Sequence, residues 1–297
     1  VTHLRIGTRG SALARIQTQW VCDRLMESGA PIEFEMVVIR SEGDVRKDDL
    51  PTKPGWPADA FTGALERALL DGRIDVAVHS HKDLPTTSTP GLIIAAIPKR
   101  EAPHDVLIPR TATTLDRLPA DARIGTSSPR RTAQLLQVKP FNVQPIRGNV
   151  PTRIEALECG DYDAIVLAAA GLNRLNIGHP HAIDLPVDQF IPAPAQGALA
   201  VQTRDERRII QLVSTIDDAT ARQQVTAERA LLAAVSAGCQ TAVGALASVF
   251  DDTITLAAQL FSDDYHQMVG ETMSGTDPIE LGTRLGRELK SRLNQSC

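Results

Sequence analysis

Apolar and polar positions along this chain switch between two periods. Short strand-like runs alternate with longer stretches in which apolar residues recur every three or four positions. Arg5-Ile6-Gly7-Thr8 predicts a short strand and a turn, followed by Ser11 and a helical run over residues 12–26. The same order returns as Arg123-Ile124-Gly125-Thr126, then Ser127 and Ser128, then a helical run over 129–137. Ser128 suits the N-cap of that second helix and Pro129 its first helical position. The next elements also correspond. Residues 34–40 and 142–147 are strand candidates. Helices over 61–70 and 152–158 end at Gly72 and Gly160, and each leads to an apolar strand, 74–78 or 164–168. Three matches in one order predict an internal duplication. Strands alternating with helices predict parallel sheets covered on both faces.

The expected fold class is therefore α/β with three domains. The first two are related and resemble the halves of a periplasmic binding protein without its signal peptide. In such sheets ligands bind at the carboxyl ends of the strands, where helix N-termini present free N–H groups. Residues 190–204 carry Pro192, Pro194, Gln196 and Gly197 before an apolar strand, and are expected to cross back to the first domain. After Thr215 the pattern changes to a helix over 220–235. Antiparallel strands follow over 243–275, with turns at Asp251-Asp252 and Asp263-Asp264, and then a last helix over 278–293. The predicted domains are 1–98 with 196–215, then 103–191, then 219–297, the third a small antiparallel sheet with helices.

The chain has 297 residues, is 42% hydrophobic and carries a net charge of -5. That charge argues against a nucleic-acid partner. No run approaches the roughly 20 apolar residues that span a bilayer, and the first residues lack a signal pattern, so a cytoplasmic protein with no membrane partner is expected. Only six of the 31 basic residues are Lys; the rest are Arg. Arg grips carboxylates in a planar fork that Lys cannot copy, although genome composition would give the same skew. The four cysteines, Cys22, Cys159, Cys239 and Cys297, form no CxxC pair, which argues against zinc or a disulfide framework. Three of them sit in or beside helical patterns and read as filler.

Candidate chemistry collects where the predicted fold would place a ligand. His79-Ser80-His81-Lys82-Asp83-Leu84-Pro85 follows a buried strand. Asp83 there reads either as a carboxylate that steadies a cation or moves a proton, or as a solvated acid in a turn. His79 and His81 share one face of an extended chain, but no partner has metal-ligand spacing, so no metal is expected. Arg9, Arg130, Arg131, Arg147, Arg153 and Arg174 all fall at strand ends or helix starts. Two adjacent Arg at a helix N-terminus oppose the helix dipole, which invites an anion to sit between them; solvated surface charge is the bland alternative. Cys239 lies among small residues in Ala237-Gly238-Cys239-Gln240-Thr241, which reads as an open loop. It is a candidate nucleophile or attachment point, or else a small buried hydrophobe.

Together these motifs resemble the porphobilinogen deaminase (hydroxymethylbilane synthase) family over essentially the whole chain. The resemblance rests on Thr8-Arg9-Gly10-Ser11, Val78 through Pro85, Gly125 through Arg131, Arg147-Gly148-Asn149-Val150-Pro151-Thr152-Arg153, Ala195-Gln196-Gly197-Ala198 and Gly238-Cys239-Gln240. It implies a monomeric cytoplasmic transferase of tetrapyrrole and haem biosynthesis. Such an enzyme joins four porphobilinogen units, each losing ammonia, on a covalent dipyrromethane cofactor. The thioether attachment falls on Cys239 and the catalytic acid on Asp83. Cofactor and substrate contacts fall on Arg9, Ser11, Ser80, Lys82, Thr126, Ser127, Ser128, Arg130, Arg131, Arg147, Gly148, Arg153, Arg174 and Gln196. One segment departs from the pattern. A Gly-Lys-rich lid is usual before the helix near Phe61, whereas residues 53–61 here read Lys-Pro-Gly-Trp-Pro-Ala-Asp-Ala-Phe. Lys53 is retained, but Ala58 stands at the usual second Lys. Pro151 is a smaller change. Two alternatives therefore stay open: a diverged paralogue acting on a modified pyrrole, and a non-catalytic binding protein for a carboxylated ligand.

Overall fold

The computed structural model describes residues 2–29, 31–40, 62–235 and 242–295. In chain order the described elements begin with β1 (Thr2–Thr8), α1 (Ala12–Glu27), β2 (Ile32–Val38), α2 (Gly63–Leu70), β3 (Val76–Ser80), β4 (Leu92–Ala96) and β5 (Asp105–Pro109). Next come β6 (Arg123–Gly125), α3 (Pro129–Val138), β7 (Asn142–Gln144), α4 (Val150–Glu158), β8 (Ala164–Ala168), α5 (Ala169–Leu175) and β9 (Ile183–Asp184). The chain continues with β10 (Leu199–Arg204), α6 (Arg207–Val213), α7 (Ala219–Val235), β11 (Val243–Phe250), β12 (Thr253–Phe261), β13 (Met268–Gly275) and α8 (Pro278–Gln295).

The chain divides into two compact units. The first takes the described residues up to Glu101 and regains the chain at Gly197–Arg222; the second takes Ala102–Gln196 and the described residues from Gln223. Each holds one five-stranded sheet, in the order β2-β1-β3-β10-β4 or β7-β6-β8-β5-β9. Position for position these are the same sheet. The expectation of wholly parallel sheets is corrected: β1, β2 and β3 run parallel, as do β6, β7 and β8, but β10 and β5 enter antiparallel. The reason is connectivity. β5 follows the chain's exit from the first unit and β10 its return, so each sheet receives its fourth strand from a crossing segment and not from a βαβ repeat.

The duplication extends to hydrogen bonds. Arg5 donates to Asp75 from its backbone N–H (2.9 Å), Nε (3.1 Å) and Nη2 (2.8 Å). Arg123 donates to Asp163 from the same three atoms at 2.9, 3.2 and 3.0 Å. Each crossing strand brings a second Arg to the same acid, Arg204 at 3.3 Å from Asp75 and Arg110 at 4.0 Å from Asp163. Gly72 and Gly160, both at positive φ, close the helices α2 and α4. Gly7 and Gly125 leave no room for a side chain, since a Cβ would lie 2.3 Å from Ile74 Cδ1 or 2.9 Å from Tyr162 Cδ1.

Element bounds differ modestly from those predicted. The 34–40 strand is Ile32–Val38, and α4 starts at Val150 because Asn149 accepts the Thr152 N–H as N-cap and Pro151 fits the first turn. β7 stops at Gln144 because Pro145 has no N–H to continue the ladder. The antiparallel hairpins β11–β12–β13 and the helix α8 form as expected, with Asp251 and Asp252 at positive φ in the first turn. This sheet belongs to the same compact unit as β5–β9. Within that unit Glu228 on α7 is fully buried, and its carboxylate accepts the N–H of Ala195 (2.7 Å) and of Ala247 (2.8 Å). Cys22 is buried in α1, where burial pushes its thiol up to about 12. Cys159 is exposed at the end of α4 and is not core filler.

Candidate functional site

In the first unit the site is built at the carboxyl ends of β1 and β3. β1 ends at Thr8 and leads through Arg9 to Ser11, whose Oγ accepts the Ala14 N–H at 3.2 Å and so caps α1. β3 is buried until Ser80, then turns through one helical turn, His81–Asp83. That turn is pinned by His81 N–H donating to Ala198 O (3.0 Å) and Leu84 N–H donating to His81 O (3.2 Å). Lys82 and Asp83 are left exposed beside a pocket lined by Arg9, Ala14, Gln17, Thr62, Val78, His79, Ser80 and Asp83. Arg9, Ser80 and Asp83 are thus brought together as the sequence predicts. Gln17 reaches Ser80 Oγ from α1 at 3.1 Å. Thr62 is 1% exposed, and its Oγ1 has no hydrogen-bond partner among the described residues.

His79 is 4% exposed, and its Nε2 lies 3.0 Å from Gln202 Oε1. Burial, opposed by the Gln202 bond and reinforced by Arg9, lowers its pKa to about 4. At neutral pH the ring is uncharged. His81 is also buried and opens the helical turn.

The corresponding turn of the second unit is cationic. Ser128 Oγ accepts the Arg131 N–H (3.4 Å), just as Ser11 receives Ala14. Arg131 therefore occupies the place that Ala14 holds in the first unit, where a pocket opens instead. Thr126 Oγ1 accepts the Ser128 N–H at 3.2 Å. Ser127 Oγ donates to Ile146 O (2.8 Å) and accepts Ile146 N–H (3.1 Å). The three hydroxyls read as ligand contacts from sequence are thus first of all the bonds that hold this turn.

Arg130 and Arg131 are 4% and 7% exposed, so neither is the solvated surface charge of the bland reading. An anion does sit between them, and it is Asp105, at 2.8 Å from Arg130 Nη1 and 2.6 Å from Arg131 Nη2. Burial alone would push the Asp105 carboxyl up; the two guanidinium charges outweigh it and hold it far below the usual range. Gln196, 1% exposed, donates to Asp105 Oδ1 (2.8 Å) and Pro103 O (2.7 Å), so its amide supports this network. Nothing in the sequence spacing joins Asp105 to Arg130, and only the dipole argument hinted that an acid was needed.

Two cations against one buried anion leave positive charge over, and the buried Nε–H groups of Arg130 and Arg131 have no acceptor among the described residues. Arg153 donates from Nε to Gly148 O at 2.8 Å, and Gly148 adopts φ 101°. Burial lowers the Arg153 pKa, and the positive charges of Arg131 and Arg147 lower it further. Arg147 and Arg174 are half-buried. Cys239, Lys53, Phe61 and the loop over 53–60 lie outside the described residues.

The fold and these turns define a duplicated α/β protein equipped for acidic ligands. The comparisons with known proteins are more specific. Residues 4–211 match the family model "Porphobilinogen deaminase, dipyromethane cofactor binding domain", and residues 222–291 match "Porphobilinogen deaminase, C-terminal domain". The chain is 42% identical over 288 residues to the porphobilinogen deaminase of Brevibacillus brevis, covering 96% of this chain and 93% of that one. It is 44% identical over 290 residues to that of Desulforudis audaxviator, covering 97% and 93%. Among solved structures, the methionine binding protein MetQ is similar with a TM-score of 0.44 at 12% identity, covering 74% of this chain and 90% of that one. The chain belongs to the porphobilinogen deaminase family, transferases with a dipyrromethane cofactor-binding domain.

The residues fit such a group. Pyrrole rings bearing acetate and propionate need buried donors and net positive charge. The unpartnered Nε–H groups of Arg130 and Arg131 and the charge left over beyond Asp105 supply both.

Proposed function

We propose that this chain joins four porphobilinogen units into linear hydroxymethylbilane, releasing ammonia at each addition, on a dipyrromethane held by thioether at Cys239. The observation that carries the reading is the placement of Asp83 beside Arg9 and Ser80 on one pocket at the end of β3. Dipyrromethane, when bound, supplies the nucleophilic ring carbon from which the product grows. Arg9, Ser11 and Lys82 in the first unit, and Arg130, Arg131, Arg147, Arg153 and Arg174 in the second, hold carboxylates of cofactor and substrate. Thr126, Ser127, Ser128, Gly148 and Gln196 shape the turn that presents those cations. Each charge-assisted hydrogen bond contributes roughly 1.5–3 kcal/mol. When the C–N bond of porphobilinogen breaks and ammonia leaves, the remaining pyrrole is cationic. The Asp83 carboxylate stabilises that charge and later accepts the proton released from carbon.

Among the described residues no helix is long and apolar enough to cross a membrane. We place the enzyme in the cytoplasm as a monomer acting on a small molecule, without nucleic-acid or membrane partners. The domains of this enzyme are then 1–98 with 196–215, 103–191 and 219–297, Lys53 and Phe61 belonging to the lid segment.

Intact mass tests the reading directly. The purified protein should exceed its sequence mass by two linked pyrrole units, and Cys239→Ala should not. Asp83→Ala should keep the added mass and lose turnover. An unmodified mass that persists after incubation with porphobilinogen would refute the proposal. Ala58 at the usual second Lys favours a second reading, a paralogue for a modified pyrrole. A primed protein that leaves porphobilinogen unconsumed would select it.

A further inference from the structure

The pocket beside Asp83 has a polar floor that the mechanism above does not use. His79 Nε2 lies 3.0 Å from Gln202 Oε1, and Gln202 Nε2 donates to Glu66 Oε1 at 2.9 Å. The second oxygen of Glu66 accepts from Thr89 Oγ1 at 2.9 Å. His79, Gln202 and Glu66 are each less than a tenth exposed. An ionised carboxylate only accepts, so Glu66 fixes which end of the Gln202 amide faces it. The amide oxygen must then face His79, and the nitrogen opposite it must carry the ring proton. Nδ1 is left with a lone pair, on a side chain that lines the pocket with Arg9 and Asp83. At the equivalent strand position the second unit has Leu167, so the duplication does not require a histidine here.

We propose that His79 is a substrate-binding residue whose unprotonated Nδ1 accepts a hydrogen bond from the ammonium group of the substrate, with Gln202 and Glu66 as the positioning residues that fix this tautomer. The inference rests on the pocket being the substrate's. Its chemistry is that of an alkylammonium site. Arg9 repels that end of the molecule and draws its carboxylates, while Asp83 and His79 present acceptors to its N–H groups. A neutral imidazole suits the task, because an imidazolium would present a second donor to a cation. The depressed pKa of His79 agrees with this.

The test combines a spectroscopic and a kinetic reading of the primed enzyme. With 15N-labelled histidine, the His79 signals, assigned by their loss in His79→Gln, should show Nε2 protonated and Nδ1 bare between about pH 6 and pH 8. Protonation at Nδ1 would overturn the proposal. The amide of His79→Gln can still reach Gln202 but offers nothing at the Nδ1 position. It should raise KM for porphobilinogen roughly 10-fold or more, as loss of a charged hydrogen bond implies, with a smaller change in kcat. For the analogue carrying hydroxymethyl in place of aminomethyl the rise should stay within about 3-fold, as a neutral hydrogen bond implies. His79→Asn, whose amide falls near Nδ1, should recover part of the KM for porphobilinogen. Equal losses on both substrates, or none, would overturn the role of His79. Full turnover by Asp83→Asn would instead overturn the assignment of the pocket itself.

Discussion

Asp105→Asn tests whether the buried acid of the second unit is what allows two arginines to stand at a helix N-terminus. The substitution keeps the shape and removes one negative charge. Arg130 and Arg131 then face each other, nearly buried, with no ionised partner. Their positive charges also lie at the end of α3 where the dipole already disfavours them. Removing one member of a buried ion pair costs about 3–5 kcal/mol because the other is left uncompensated. Part of that is recovered, since an Asn oxygen still accepts one N–H, and so the lower end is expected. At about 2–4 °C per kcal/mol for a unit of this size, the melting transition should fall by at least ~6 °C. A pH series sharpens the test. The folded-state pKa of Asp105 lies below its unfolded value of about 3.9. Its contribution is therefore present above that value and is lost as the pH falls below it. Thermal or urea unfolding followed by circular dichroism should show the wild type losing stability faster than the variant below about pH 4. A variant within ~1 kcal/mol of wild type at neutral pH, with an unchanged acid slope, would show that Asp105 is not the compensating charge.

Glu228→Gln should destabilise by about 1–3 kcal/mol, because one of the two backbone N–H groups it accepts would meet an amide N–H instead; urea unfolding reads this directly. Arg5→Ala and Arg123→Ala should each lower the urea midpoint modestly, given their partial exposure, and the two losses should add in the double variant, because the pairs lie in separate units. The neutral, buried His79 gives a further pH signature. Its folded pKa of about 4 lies below the ordinary 6.5. Stability should then be fully present above pH 6.5 and fall by roughly 3 kcal/mol as the pH drops toward 4, a decline absent in His79→Gln.

Much of the fold is legible in the sequence because it is written twice. Arg5-Ile6-Gly7 and Arg123-Ile124-Gly125 announce the same strand, and Ser11 and Ser128 the same cap. Two strands outside the repeated parallel core, β4 and β5, were harder to read. β5 is flanked by Pro103 and closed by Pro109, and β4 lies between Pro90 and Pro98, so both resemble loop until a partner pairs them. The site divides in the same way. Residues that closely follow a predicted strand, such as Arg9 and Asp83, follow from local pattern. Asp105, Gln202, Glu66 and Glu228 do not, because their partners are distant in sequence: Asp105 answers Arg130, and Gln202 answers His79. A buried polar residue within an apolar run is the one local signal they leave.

The order of β10 in the first sheet has a consequence for a chain emerging from the ribosome. β10 lies between β3 and β4, and among the described residues β4 pairs with no other strand. The first unit thus stays open at its middle until residues 199–204 have been made. About a hundred residues separate β4 from β10, so at ~5–20 residues per second an unpaired strand edge waits on the order of 5–20 s. The strands β5–β9 of the second unit's five-stranded sheet, by contrast, have all been translated before the first unit's last strand appears. Vectorial synthesis therefore favours completion of the later sheet before the earlier, and makes the exposed side of β3 the surface most in need of protection while it waits.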